Sequence, residues 1–214
     1  KTTITFLLKS IFEATGQKVG IIGTTGIYIG SQKLPATHTT PDPFKLWELF
    51  LKMTEAKIKT VIMEDSSHAL TQNRIDGIDF QAVLFTNITH DHLDYHSTFE
   101  DYAIAKKRLF DNAGEDCFVI VNADSQYSEK MLEDCNSKHQ YRIGRNDKAD
   151  IKIKDEILDI QSSEFSIEFS DEIHDRFYGE INIKTKLTGS YNVENAAISA
   201  ALCRCLGITD EFIR

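Results

Sequence analysis

Along the chain, apolar residues recur first at helical spacing, then as short continuous runs, and finally at every second position. Over Thr2–Ala14 the apolar positions Ile4, Leu7, Leu8, Ile11 and Phe12 predict an amphipathic helix, stopped by Gly16. Residues 18–23 (KVGIIG) form an apolar block that predicts a strand. A polar loop follows, with a hairpin expected over residues 26–34. Pro43 then opens a helix carrying Leu46, Leu49, Phe50 and Met53 on one face. Apolar blocks at Thr60–Met63 and at residues 82–86 read as further strands. Helical spacing returns over residues 99–113, with Tyr102, Leu109, Phe110 and Ala113. Residues 117–121 (CFVIV) predict a strand that closes on Asn122-Ala123-Asp124.

Strands written as continuous apolar runs and separated by helices imply a parallel sheet covered on both faces. The period changes after Ala149. Ile151 and Ile153, then Phe165, Ile167 and Phe169, then Ile181 and Ile183 alternate with polar residues. That alternation predicts antiparallel strands with one solvated face. A last helix is expected over residues 192–206, ended by Gly207. The fold class is therefore α/β: a mostly parallel sheet flanked by helices, with a small antiparallel sheet in the second half.

Composition narrows the class. Hydrophobic residues make up 41% of the 214, enough for a sizeable core. The net charge of −9 argues against a general nucleic-acid binder but allows a local cationic pocket. No apolar run approaches the roughly 18 residues of a membrane span, so no membrane partner is expected. Cys117, Cys135, Cys203 and Cys205 form no C-x-x-C pair and read as reduced thiols of a cytoplasmic protein. The chain opens on Lys1-Thr2-Thr3 rather than on Met, which reads as a cut.

Three stretches could carry chemistry. Met63-Glu64-Asp65-Ser66-Ser67-His68 follows a strand, where open parallel sheets bind ligands. Glu64 there could hold Mg²⁺; equally, Asp65 or Ser66 could cap the next helix with Glu64 in solvent. Thr86-Asn87-Ile88-Thr89-His90-Asp91-His92-Leu93-Asp94-Tyr95-His96 also follows a strand and gathers three of the seven histidines. His90-x-His92-x-Asp94 starts a binuclear metallohydrolase pattern, but Tyr95 stands where its last ligand belongs. A Mg²⁺–nucleotide site using one His beside carboxylates is the competing reading. Finally, Lys106 follows Tyr102 by four residues and precedes Leu109 and Phe110 by three and four, which places it on the apolar stripe. A lysine there is either a snorkelling side chain or a functional one. Asn192 and Asn195, after Gly189, open the late helix, as a cap and polar first turn or as amides reading a base edge.

Taken in order, Lys1-Thr2-Thr3, His38-Thr39-Thr40-Pro41, Glu64-x-Ser66-Ser67-His68-Ala69-Leu70, Gln72-x-Arg74, Asp91-His92-Leu93-Asp94-Tyr95-His96, Ala105-Lys106 and Gly189-x-x-Asn192-x-x-Asn195 resemble the Mur ligases. The likeness spans essentially the whole chain. It is strongest to the branch that adds the third residue of the peptidoglycan stem peptide.

The resemblance implies a P-loop-type, ATP-binding central domain covering residues 1–214. It would be truncated at its P-loop, with N-terminal UDP-binding and C-terminal domains absent. It implies a cytoplasmic, ATP- and Mg²⁺-dependent amide-forming ligase, and predicts that the isolated fragment is inactive. Lys1 would meet the β- and γ-phosphates, with Thr2, Thr3 and Asn87 beside them and Asn192 and Asn195 at the adenine. Thr2, Glu64 and His92 would hold metal, together with Lys106 as a carbamate. Lys1, Lys106 and His92 would form the catalytic set. Thr39, Thr40, Ser66, Gln72 and Arg74 would contact a UDP-N-acetylmuramoyl-dipeptide, which a free amino acid then extends. Asp65 and His90 depart from the family's pattern. A non-catalytic nucleotide-binding relative remains the alternative from another class.

Overall fold

The structure, a computed structural model, describes residues 1–88, 98–170 and 178–214. These fall into two compact units, one holding residues 1–78 and 98–106, the other the remaining described residues.

In the first unit, helix α1 (Thr2–Ala14) buries Ile4, Thr5, Leu8 and Phe12. That is the one-sided stripe its spacing predicts. Strand β1 (Val19–Gly23) is buried at all five positions. The hairpin β2 (Gly26–Ile29) and β3 (Gln32–Leu34) follows, turning through Gly30 at φ 60°. Helix α2 (Pro43–Glu55) starts on two matched signals. Pro43 lies in its first turn, and the Asp42 carboxylate accepts from the Lys45 N–H at 3.1 Å. Strand β4 (Thr60–Met63) pairs parallel to β1, giving the order β3-β2-β1-β4. A short helix, α3 (Ser67–Thr71), closes this stretch.

The second unit is built on a six-stranded sheet. Strands β5 (Ala82–Phe85), β6 (Phe118–Asn122), β7 (His139–Gly144) and β8 (Ile151–Leu158) run parallel. Strands β9 (Ser163–Phe169) and β10 (Gly179–Thr185) extend the same sheet antiparallel. The alternating strands expected in the second half are thus present, hydrogen-bonded onto the parallel ones rather than apart from them. Helix α4 (Phe99–Asp111) carries residues of both units, and α5 (Ser128–Leu132) precedes β7. Helix α6 (Ser190–Cys205) packs on β6, β7, β8 and β9 through Val193, Ala197, Ala201 and their neighbours. Its small side chains let the helix approach the sheet closely. Cys203 and Cys205 are both buried there, with thiols pushed up to about 12 by burial, so neither is a reactive nucleophile. Helix α7 (Asp210–Ile213) ends the chain. None of the described helices is long and apolar enough to cross a membrane.

Candidate active site

The parallel pairing of β1 with β4 sets Ile22 beside Met63. The Glu64 N–H continues the ladder by donating to the Ile22 carbonyl at 2.9 Å. Glu64 is thereby fixed at the carboxyl ends of the two strands. It is 2% exposed, not the solvated residue that a pure capping role would leave. The Thr2 hydroxyl, at the N-terminal end of α1, lies 3.0 and 3.1 Å from its two carboxylate oxygens. The Thr24 hydroxyl donates to Oε2 at 3.1 Å. Gly23 leaves room for this carboxylate: a Cβ there would stand 2.5 Å from Glu64 Oε1 and push the side chain aside. A buried carboxylate held by hydroxyls is a hard-oxygen donor set of the kind a divalent magnesium ion takes.

On the next residue the chemistry differs. Asp65 is half-buried overall, yet its Oδ1 is enclosed and has no hydrogen-bond partner. Burial pushes its carboxyl up to about 6, opposed by the positive charges of Lys106 and Lys1. Lys106 turns inward on α4, as its spacing predicts, with Nζ 5.5 Å from the Tyr102 ring centroid. Burial drives its ammonium down to about 8; Lys1 pushes the same way and Asp65 opposes. Lys1 Nζ donates to the Asp65 carbonyl at 3.3 Å. One unit therefore gathers Lys1, Thr2, Glu64 and Lys106.

The expected substrate-binding residues form one connected network in the same unit. Thr40 is fully buried; its hydroxyl donates to the Glu64 carbonyl at 2.9 Å and accepts from the Ser66 N–H at 3.1 Å. The Thr40 carbonyl accepts from Arg74 Nη1 at 2.7 Å, and Arg74 Nε and Nη2 both donate to Gln72 Oε1. Thr39 shares a hydrogen bond with Thr24 at 3.1 Å. Ser66 does cap a helix: its hydroxyl accepts from the Ala69 N–H of α3. The capping reading thus holds for Ser66 and fails for Glu64. Thr3 is half-buried on α1.

Thr24 was not foreseen. Its signal was position alone, immediately past the carboxyl end of an apolar strand.

In the second unit, Asn87 is exposed just beyond β5. Asn192 is not the cap of α6, a place taken by Gly189 at φ 91°. Its Nδ2 donates to the Thr188 carbonyl at 2.8 Å, and its Oδ1 accepts from Asn195 Nδ2 at 3.5 Å. His90, His92, Asp94 and His96 lie outside the described residues, so the metallohydrolase pattern gains nothing from the structure. Among the described residues no group of three His, Cys, Asp or Glu could hold a metal ion.

A buried carboxylate at the end of a parallel strand, beside a helix that opens on Lys-Thr, lies where open α/β sheets take their ligands. The model of the Mur ligase middle domain matches residues 1–203, and the chain belongs to that family. It is 40% identical to UDP-N-acetylmuramoyl-L-alanyl-D-glutamate--2,6-diaminopimelate ligase 1 of Clostridium acetobutylicum, over 100% of this chain and 42% of the relative. A solved UDP-N-acetylmuramoyl-L-alanyl-D-glutamate--2,6-diaminopimelate ligase superposes with a TM-score of 0.84 at 25% identity, covering 100% of this chain and 42% of its own. The MurF ligase of Thermotoga maritima in complex with ADP shares the fold, with a TM-score of 0.63 at 16% identity over 97% of this chain and 43% of its own. The chain thus spans under half the length of the curated relative it matches.

Proposed function

We propose that the chain is the ATP-binding part of a longer Mur ligase, acting in the cytoplasm. That ligase would join meso-diaminopimelate, or alternatively L-lysine, to the D-glutamyl carboxylate of UDP-N-acetylmuramoyl-L-alanyl-D-glutamate. One observation carries this reading: the buried Glu64 carboxylate held against the Thr2 hydroxyl at the opening of α1. The 40% identity to a diaminopimelate ligase supports the choice of substrates.

In this reading Lys1 neutralises the β- and γ-phosphates, and Thr3 and Asn87 are further ATP contacts. Thr2, Glu64 and His92 would hold magnesium, which would supply positive charge against the transferring phosphoryl group. Lys106 serves as a carbamate and supplies a further anionic ligand. Its depressed pKa suits that role. Near pH 7 roughly a tenth of the side chain is the neutral amine that adds carbon dioxide, releasing one proton. Asn192 and Asn195 meet the adenine. Thr39, Ser66, Gln72 and Arg74 meet the muramoyl-dipeptide, and Thr40, whose hydroxyl is spent on the backbone, shapes their loop.

The reaction needs no covalent enzyme intermediate. A D-glutamyl carboxylate oxygen attacks the γ-phosphorus and ADP leaves, giving an acyl phosphate. The amine of the incoming amino acid attacks the acyl carbon and loses a proton, and phosphate departs with the original carboxylate oxygen. Both steps concentrate negative charge, which Lys1 would stabilise in this reading.

The test is product formation by the full-length protein with ATP, Mg²⁺, the UDP-muramoyl-dipeptide and each amino acid in turn. Mass spectrometry is expected to find the tripeptide product with meso-diaminopimelate. Absence of amide product with either amino acid overturns the reading.

A further inference from the structure

A single guanidinium ties four separate segments of the second unit together. Arg145 directly follows β7. Its Nε and Nη2 form a two-pronged pair with Glu156 of β8 at 2.6 and 2.9 Å. Its Nη1 donates to Glu194 of α6 at 2.7 Å and to Asp124 beyond β6 at 3.3 Å. Its Nη2 also donates to the Ser190 hydroxyl at 2.8 Å, and its backbone N–H donates to Asp124. Three carboxylates thus converge on one cation. The pairing of β8 with β9 is irregular between Lys154 and Ile157, and Asp155 adopts φ 51°, so Glu156 sits in a bulge. Bulges of this kind re-aim a side chain. Glu194 is held from a second side as well, since its Oε2 accepts from Asn122 Nδ2 at 3.2 Å.

Ser190 and Glu194 lie about 40° apart around α6, whereas Asn192 and Asn195 lie about 200° and 140° from Ser190. From Glu194 the same two amides lie about 160° and 100° away, so the grip faces away from Asn192 and sideways to Asn195. We propose that Arg145 is a positioning residue for recognition of the nucleotide base. By clamping Ser190 and Glu194 against the sheet, it fixes the rotation of the first turns of α6, and so the direction of the Asn192 and Asn195 amides. This rests on the reading that those amides meet adenine.

The experiment compares ATP with inosine triphosphate, which lacks the 6-amino donor, in the full-length ligase. Asn195→Ala is expected to reduce the preference for ATP, reporting on the adenine reading itself. Arg145→Met and Glu194→Gln are then expected to lower that preference roughly tenfold, below the hundredfold cost of an ångström of misplacement, through KM for ATP and with kcat nearly constant. Arg145→Lys keeps the charge but not the fork and is expected to fall between. Arg142→Met, which breaks the pairs to Glu129 and Asp150 nearby, is expected to leave the preference unchanged. If Arg145→Met does not fold, Glu194→Gln and Arg145→Lys decide the outcome. An undiminished preference in these variants while Asn195→Ala loses it overturns the inference alone. An undiminished preference in Asn195→Ala overturns the adenine reading and the inference with it.

Discussion

Glu64→Gln is expected to lower kcat about 10³-fold or more, the scale at which loss of a transition-state charge stabiliser registers, with the melting temperature changed little. The substitution preserves shape, and the hydroxyls that donate to the carboxylate can rotate. Thr2 and Thr24 are each able to accept from an amide nitrogen where they now donate to Oε1 or Oε2. The fold at the end of β4 is held mainly by main-chain bonds, the Glu64 N–H to Ile22 and the Thr40 hydroxyl to the Glu64 carbonyl. The substitution touches neither. What it removes is the negative charge. Steady-state kinetics with a magnesium titration checks this, and a variant that keeps wild-type kcat would remove Glu64 from the metal site.

Lys106→Met is expected to abolish ligation and, in the same protein, to raise stability by about 2 kcal/mol at pH 7. The sign follows from linkage. Burial lowers the folded-state pKa of Lys106 from 10.5 to about 8. Below pH 8 both the folded and unfolded chains carry the proton, and the folded one bears the full cost of a buried ammonium, about 3 kcal/mol for that shift. Between pH 8 and 10.5 the cost fades, because the folded side chain is by then neutral. Methionine removes the cost but also takes away the positive charge that moderates Asp65, whose carboxyl is already raised to about 6. The net gain is therefore smaller than the lysine shift alone. Urea unfolding of both proteins at pH 7 and pH 10, in buffer free of carbon dioxide, is expected to show a gap that narrows at the higher pH. An equal gap at both pH values would mean that Lys106 is not held as a costly buried cation. In the proposed ligand role, a lysine that destabilises its own fold would be the trade that function commonly imposes.

The elements that the sequence made legible share one property: their apolar pattern matches the face they bury. The stripe of α1, the five buried residues of β1 and the alternation in β9 all follow it. Strand β7 did not announce itself. It reads His139-Gln140-Tyr141-Arg142, and its polar residues are accounted for by partners that no local pattern reveals. His139 stacks on Phe118 at 4.9 Å, and Arg142 pairs with Glu129. The short helices α5 and α7 carry too few residues for a period to show.

At the site, legibility divided along the same line. Lys106 could be placed by spacing, because one helix face is enough to turn it inward. Glu64 needed the parallel register of β1 with β4 to become buried, so the sequence left capping and metal binding level. Thr24 had only its position past a strand end to mark it, since nothing in its loop says that it will meet a carboxylate 40 residues away. Asn192 misled in a smaller way: the glycine before it, at φ 91°, takes the cap, and the amide turns back to Thr188 instead.

The central claim is that the protein activates a substrate carboxylate with ATP, and an oxygen-18 label tests it most directly. The UDP-muramoyl-dipeptide is prepared with ¹⁸O in its D-glutamyl carboxylate and turned over by the full-length ligase with ATP, Mg²⁺ and meso-diaminopimelate. Transfer of one ¹⁸O into the released inorganic phosphate for each amide bond formed is the expected result. Amide formation with unlabelled phosphate would contradict the acyl-phosphate route.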